Sequence, residues 1–181
     1  MPLVEVFTGA HGTISLAVAG SDEQKADFNA ITGAYGETVF NPLGRVVDVE
    51  VCVQTELQEY FSIGSRSNPQ LLPGNVHISG KIGRAYINGS LFTLLLDRAS
   101  KGNALATIQP QFVLNLVLND KNLPGDTLRV NIFGVKLENW AIKVPQDTFV
   151  MEQVTFKGKN IGVADTNEGT DINVAFPEAG A

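Results

Sequence analysis

The chain has 181 residues, 19 Asp and Glu against 13 Lys and Arg, a formal net charge of −6, and only 18% charged residues. That balance argues against a strong nucleic-acid binder, which needs clustered Lys and Arg to grip phosphates. The single cysteine, Cys52, excludes an internal disulfide and a cysteine-rich zinc site within one chain.

Hydrophobic residues make up 44%, enough for one sizeable core. A charged fraction below the ~25% usual for soluble domains implies that part of the surface is buried against other subunits. The opening MPLVEVFTGA has neither a basic segment nor a long apolar run, so no secretory leader is expected. No apolar run approaches the ~20 residues of a membrane helix. The protein is expected to be soluble and made in a cytoplasm.

In chain order, strands are expected at Leu3–Phe7 and Thr13–Ala19, before an excursion over 20–44 broken by Gly33, Gly36 and Pro42. A short helical turn fits within Asp22–Ile31. A long strand follows from Arg45 to Gln54 and continues, bent, to about Ile63. VDVEVCV alternates over 47–53, placing Val47, Val49, Val51 and Val53 on one face and Asp48, Glu50 and Cys52 on the other. Glu56 and Glu59 extend the acidic character, with no Lys or Arg between Arg45 and Arg66. A loop is expected over Gly64–Gly74 and a strand over Asn75–Ile87.

Ser90–Ala99 has helical spacing. Leu91, Leu94, Leu95 and Arg98 recur at i, i+3, i+4 and i+7; Ser90 serves as N-cap, and Lys101-Gly102 as the stop. Strands at Phe112–Asn119 and Thr127–Gly134 flank a Pro124-Gly125 turn. Val135–Val144 and Phe149–Lys157 complete the set. Gly134 marks a bulge or bend, because the apolar phase shifts there. After Asp165 the chain is acidic without a basic residue, a tail or an arm that orders on a neighbour. The sum is one mainly β domain over 1–165, an antiparallel sandwich or barrel with one flanking α-helix, followed by 166–181.

Catalytic patterns fail on detail. Neither His11 nor His77 stands in a nucleophile–histidine–carboxylate pattern, and no G-x-S-x-G occurs. The run Gly74–Lys81 is one residue too long for a phosphate loop, with Ile82 where Ser or Thr must stand. From Asp165, a calcium loop needs Gly where Thr170 stands and Glu where Phe176 stands. Asn88-Gly89-Ser90 reads as a turn. Asp48 and Glu50 would lie roughly 6.6–7 Å apart by strand rise, a separation some glycosidases use. No aromatic sugar platform is near, so a solvated acidic face is the plainer reading.

Val51-Cys-Val-Gln-Thr-Glu56, Phe61-Ser-Ile-Gly64, Pro73-Gly74-Asn75 and above all Ile78-Ser-Gly-Lys-Ile-Gly-Arg-Ala-Tyr-Ile-Asn-Gly-Ser-Leu91 resemble a tail tube protein of a contractile-tailed bacteriophage. Inner tubes of contractile injection systems share the pattern. Phe7–Leu16 and Phe149–Gly158 fit it too, so the likeness spans about 5–165 and omits 20–44 and the acidic tail. The resemblance implies homohexameric rings stacked into a tube, closed by strand pairing between subunits. It implies a structural, non-enzymatic virion protein without cofactors, assembled in the host cytoplasm, with the genome passing through during ejection. Implied partners are the chain itself, a tail sheath protein, baseplate and terminator proteins, and double-stranded DNA bound without sequence specificity; membrane insertion is not implied.

On this reading Asp48, Glu50 and Glu56 are lumen-lining candidates, since a negative wall lets DNA slide. Arg66, Pro69 and Leu71 are inter-ring candidates, and Asp97 and Arg98 face a sheath. The alternatives are an injection device delivering protein, a small-ligand-binding β-barrel with a pocket at Trp140 and Phe133, and a glycosidase resting on Asp48 and Glu50.

Overall fold

A computed structural model describes residues 12–18, 46–61, 63–64, 70–85, 89, 92, 95, 111–119, 127–167 and 170–175. The strands are β1 (Gly12–Val18), β2 (Val46–Tyr60), β3 (Gln70–Ala85), β4 (Phe112–Asn119), β5 (Thr127–Lys143), β6 (Met151–Gly158), β7 (Asn160–Asn167) and β8 (Thr170–Ala175). Every pairing among the described residues is antiparallel.

Alternation sets which faces meet. Ile14 and Leu16 on β1, and Phe112 and Leu114 on β4, are buried at every second position. They join Ile78, Ile82, Ile132, Val135, Leu137, Val154, Phe156 and Ile161 in one core cluster.

β5 organises the architecture. Its first half lies between β4 and β7, and its second half pairs with β6. The change falls at Gly134, whose φ of 63° is a left-handed conformation that glycine adopts without a Cβ penalty. The strands paired with β5 turn the same corner between β6 and β7, where Lys159 N–H donates to the Phe133 carbonyl at 2.9 Å. Sheet 1 is therefore β1-β4-β5-β7-β8, and sheet 2 is β5-β6-β3-β2, with the bent β5 common to both. A strand that changes sheets at a bend is how two sheets share a corner.

The expected bend at Gly134 is present. The barrel half of the expectation is corrected: β1 and β2, at the two ends of the strand order, do not pair among the described residues, so the sheet stays open. β3 begins at Gln70, so the second half of the expected Gly64–Gly74 loop is strand. Residues 166–167 and 170–175, placed by sequence in a tail or arm, lie in β7 and β8. Of the expected Ser90–Ala99 helix, only Phe92 and Leu95 are described, each with helical backbone geometry. Leu95 packs on the core cluster, and the Phe92 ring lies 4.9 Å from that of Trp140. The rest of that segment, Leu3–Phe7 and the 22–31 turn lie outside the described residues.

Candidate functional site: the polar face and arm of sheet 2

Sheet 2 has two unlike faces, and its register gives them row by row. On the buried face Val51, Gly80, Phe156 and Leu137 stand side by side, as do Val49, Ile82, Val154 and Trp140. On the outer face the rows read Cys52, Ser79, Lys157, Lys136, then Glu50, Lys81, Thr155, Asn139, then Asp48, Gly83, Gln153, Ala141. Glu50 meets Lys81 at 2.6 Å, and Lys157 meets Glu138 at 2.7 Å. The Glu50 hydrogen bond and charge raise the Lys81 pKa above its ordinary value.

The acidic character read from β2 does not extend across this face. Asp48, Glu50, Glu56 and Glu138 are offset by Lys81, Lys136, Lys143 and Lys157, which lie on strands that sequence reasoning treated separately. Long-range pairing brings them together, and no local pattern in the sequence signals it.

The phase of β2 also differs at its start. A bulge between Val46 and Asp48 puts Val46 and Val49 against the core and leaves Val47 65% exposed. The strict alternation expected from Val47 breaks there.

Beyond Val53 and Ile78 the β2–β3 pair continues with no third strand beside it among the described residues, and 54–60 and 70–77 are exposed throughout. This arm carries Leu57, Tyr60, Leu71, Leu72 and Val76 in the open, with Phe61 and Ile63 just beyond. Its polar side is tied at one point. His77 Nε2 donates to Glu56 Oε1 at 2.8 Å, and Asn75 Nδ2 donates to Glu56 Oε2 at 3.4 Å. The His77 hydrogen bond leads in lowering the Glu56 pKa, with a smaller part from Asn75.

Asp48, Glu50 and Glu56 thus share one exposed face, and Leu71 lies on the arm. Arg66, Pro69, Asp97, Arg98 and His11 lie outside the described residues. Among the described residues no group of three or more His, Cys, Asp or Glu is placed to hold a metal, and no helix is long and apolar enough to cross a membrane. Trp140 Nε1 donates to Glu152 Oε2 at 2.8 Å on the buried side of sheet 2, while Phe133 stands on β5 opposite β7. A cavity of about 280 Å³ is lined by Gly12, Ile14, Val46–Val49, Leu116 and Leu118, without either aromatic.

No family profile matches the chain, and no curated protein matches it in sequence. Solved structures do match. A chain of the anti-feeding prophage tube-terminating cap superposes with a TM-score of 0.58 at 8% identity, over 92% of this chain and 95% of that one. A chain of an extracellular contractile injection system, the PVC sheath-tube complex in its extended state, gives 0.53 at 9% identity, over 96% and 95%. The SPP1 tail tube gives 0.51 at 12% identity, over 90% and 80%. The chain shares its fold with the SPP1 tail tube and with these chains of contractile assemblies. That fold agrees with the resemblance found in the sequence.

Proposed function

We propose that this chain is the repeating subunit of an inner tail tube, a structural protein with no enzymatic role. Its copies close into a ring through the two edges of sheet 2, and the outer face of that sheet lines the lumen. The observation that carries this reading is the pair of open edges. Among the described residues β2 pairs only with β3, and the second half of β5 pairs only with β6. The β2 edge carries Asp48 and Glu50, and the β5 edge carries Lys136 and Lys143. Opposite charges on opposite edges favour head-to-tail joining of like copies, and closure removes edges that would otherwise invite aggregation.

Asp48, Glu50 and Glu56 then line the lumen together with the lysines of the same face. A wall with matched charges neither traps a polyanion nor repels it, so double-stranded DNA passes without being held. The tube belongs to a virion tail, with the genome as cargo and a sheath, a baseplate and a terminator as partners. The fold likeness to chains from sheath-tube and terminating-cap assemblies supports that context. Asp97 and Arg98 are the proposed sheath-facing residues.

Cys52 supplies the test, because it is exposed and stands on the outer face of sheet 2 opposite Ser79. Assembled protein is treated with a small maleimide or with one carrying a 5-kDa polymer, and the assemblies are viewed by negative-stain microscopy. Rings or tubes in which the small reagent labels Cys52 and the large one does not support the reading. Equal labelling by both reagents in intact tubes removes this face from the lumen, and a lasting monomer rejects the tube.

A further inference from the structure

Among the described residues the buried charged side chains are Arg84 and Glu152, and they meet each other. Arg84 stands opposite Glu152 in the β3–β6 register and forms its ion pair with Oε1. Trp140 of β5, diagonal to Glu152, donates Nε1–H to Oε2 at 2.8 Å. One carboxylate therefore holds the strands on both sides of β6.

Both strands need such a hold. A slip of one residue turns every side chain to the other face, but a slip of two keeps each on its own face. The core-side positions of β3 are Ile78, Gly80, Ile82 and Arg84, and those of β6 are Glu152, Val154, Phe156 and Gly158. After a slip of two, most apolar positions would still meet apolar ones, and the fit of Gly80 against the Phe156 ring is the steric objection. Arg84 and Glu152 would each be buried without the other, the costliest arrangement for a charge. β5 is ambiguous for a second reason. Its register with β6 shifts between Leu137 and Asn139, where Glu138 is an extra residue. Beyond that bulge and the bend at Gly134, the pairing of 139–143 is not inherited from the pairing of β5 with β4.

We propose that Glu152 is the register pin of sheet 2, fixing β3 through Arg84 and the bulged half of β5 through Trp140. The outer face depends on it. A slip of two residues moves a strand by about 6.6 Å, and Lys81, Thr155 and Asn139 would no longer share a row beside Glu50. The buried pair thus keeps the exposed charges of four strands in one fixed pattern. This holds whether or not the chain forms a tube.

The test uses full-length protein carrying Cys52→Ser, so that introduced cysteines are the only ones. Intramolecular disulfides formed at low protein concentration then read which outer-face positions lie opposite each other. Lys81→Cys with Thr155→Cys reports the native β3–β6 register, and Lys81→Cys with Gln153→Cys a slip of two. Asn139→Cys with Thr155→Cys reports the native β5–β6 register, and Ala141→Cys with Thr155→Cys the slip. The parent is expected to close only the native pairs. Arg84→Met with Glu152→Leu should raise the slipped disulfides of both seams roughly tenfold or more, because a lost buried partner is worth at least that factor. Trp140→Phe should raise only the β5 slip. Glu152→Gln keeps an acceptor for Trp140 but not the charge facing Arg84, so it should raise only the β3 slip, and it carries the test if the double variant does not fold. Native disulfides alone in the folded double variant, or in Glu152→Gln, overturn the proposal and leave the register to the packing of Gly80 on Phe156. Slippage of the β3 seam in Trp140→Phe also overturns it, since the two oxygens would then not act on separate strands.

Discussion

His77 donates a 2.8 Å hydrogen bond to Glu56 at the one place in the arm where β2 and β3 fall out of register. The slip lies between Thr55 and Leu57, opposite Gly74 and Asn75, and Asn75 binds the other oxygen of the same carboxylate. A bulge leaves part of the ladder unpaired and twists the strand locally. Glu56 bridges that gap from the side.

The sign of the resulting pH dependence follows from the lowered Glu56 pKa. A carboxylate whose pKa is depressed on folding stabilises the fold above its unfolded pKa. That contribution is lost as pH falls through the lower, folded value. His77→Ala should therefore move the Glu56 carboxyl titration up toward the ordinary Glu range. Carbon-detected NMR titration of the carboxyl resonance reads this directly. The pair is exposed, so global stability near neutral pH should change little. An unmoved Glu56 titration in His77→Ala would show that the contact does not persist in solution.

Arg84 and Glu152 form a second ion pair of the opposite kind, with both side chains fully buried. Trp140 Nε1 donates to the second oxygen of Glu152, so Trp140 joins the two charges under the Phe92 ring. Removing one member of a buried pair leaves the other charge without compensation, which costs about 3–5 kcal/mol. Arg84→Met should lose stability on that scale in chemical denaturation. Arg84→Met combined with Glu152→Leu should recover much of it, since a buried ion pair is replaceable by apolar groups of similar size. A single variant as stable as the parent would mean that water reaches the site.

Two glycines of β3 separate backbone crowding from side-chain crowding. A Cβ on Gly80 would press on the Glu50 carbonyl and on the Phe156 ring, 2.5 Å away, and neither can swing clear. On Gly83 the three nearest atoms all belong to the Asp48 carboxylate, the end of an exposed side chain. Gly80→Ala is expected to cost about 1–3 kcal/mol, in the range of overpacked cores. Gly83→Ala should be tolerated, with Asp48 displaced. Thermal unfolding of the two variants should rank them in that order, and equal losses would refute the distinction.

Strong alternation and clear turns made β1, β2, β4, β5 and β6 legible in the sequence. β7 and β8 were not, because Gly162, Ala164 and Asp165 dilute the apolar signal of β7, whose strand state comes from pairing with β5, and β8 is strand only through its pairing with β7. The segment 70–74 reads as loop because Pro73 and Gly74 break local patterns. Pro73 instead stands opposite Leu57 in a two-stranded arm, where a missing N–H on the open side is tolerated. Asp48, Glu50 and Glu56 were visible as one acidic face of β2. The lysines that balance them were not, since β3, β5 and β6 share a face with β2 only through the sheet.

The open edges of sheet 2 give a prediction about salt. If Asp48 and Glu50 of one copy approach Lys136 of the next, the attraction acts over a few ångströms at an exposed seam. It should weaken as the Debye length shrinks from about 10 Å at 0.1 M salt to about 3 Å at 1 M. Ring formation by the parent chain, followed by sedimentation velocity, should therefore fall with ionic strength. Lys136→Glu turns the attraction into repulsion without touching the core, because Lys136 is exposed on the outer face. That variant should form fewer rings at low salt and regain some at high salt, reversing the sign of the dependence. A Lys136→Glu variant with the parent's salt profile would place the seam elsewhere and leave the charges of the β5 edge without a role in closure.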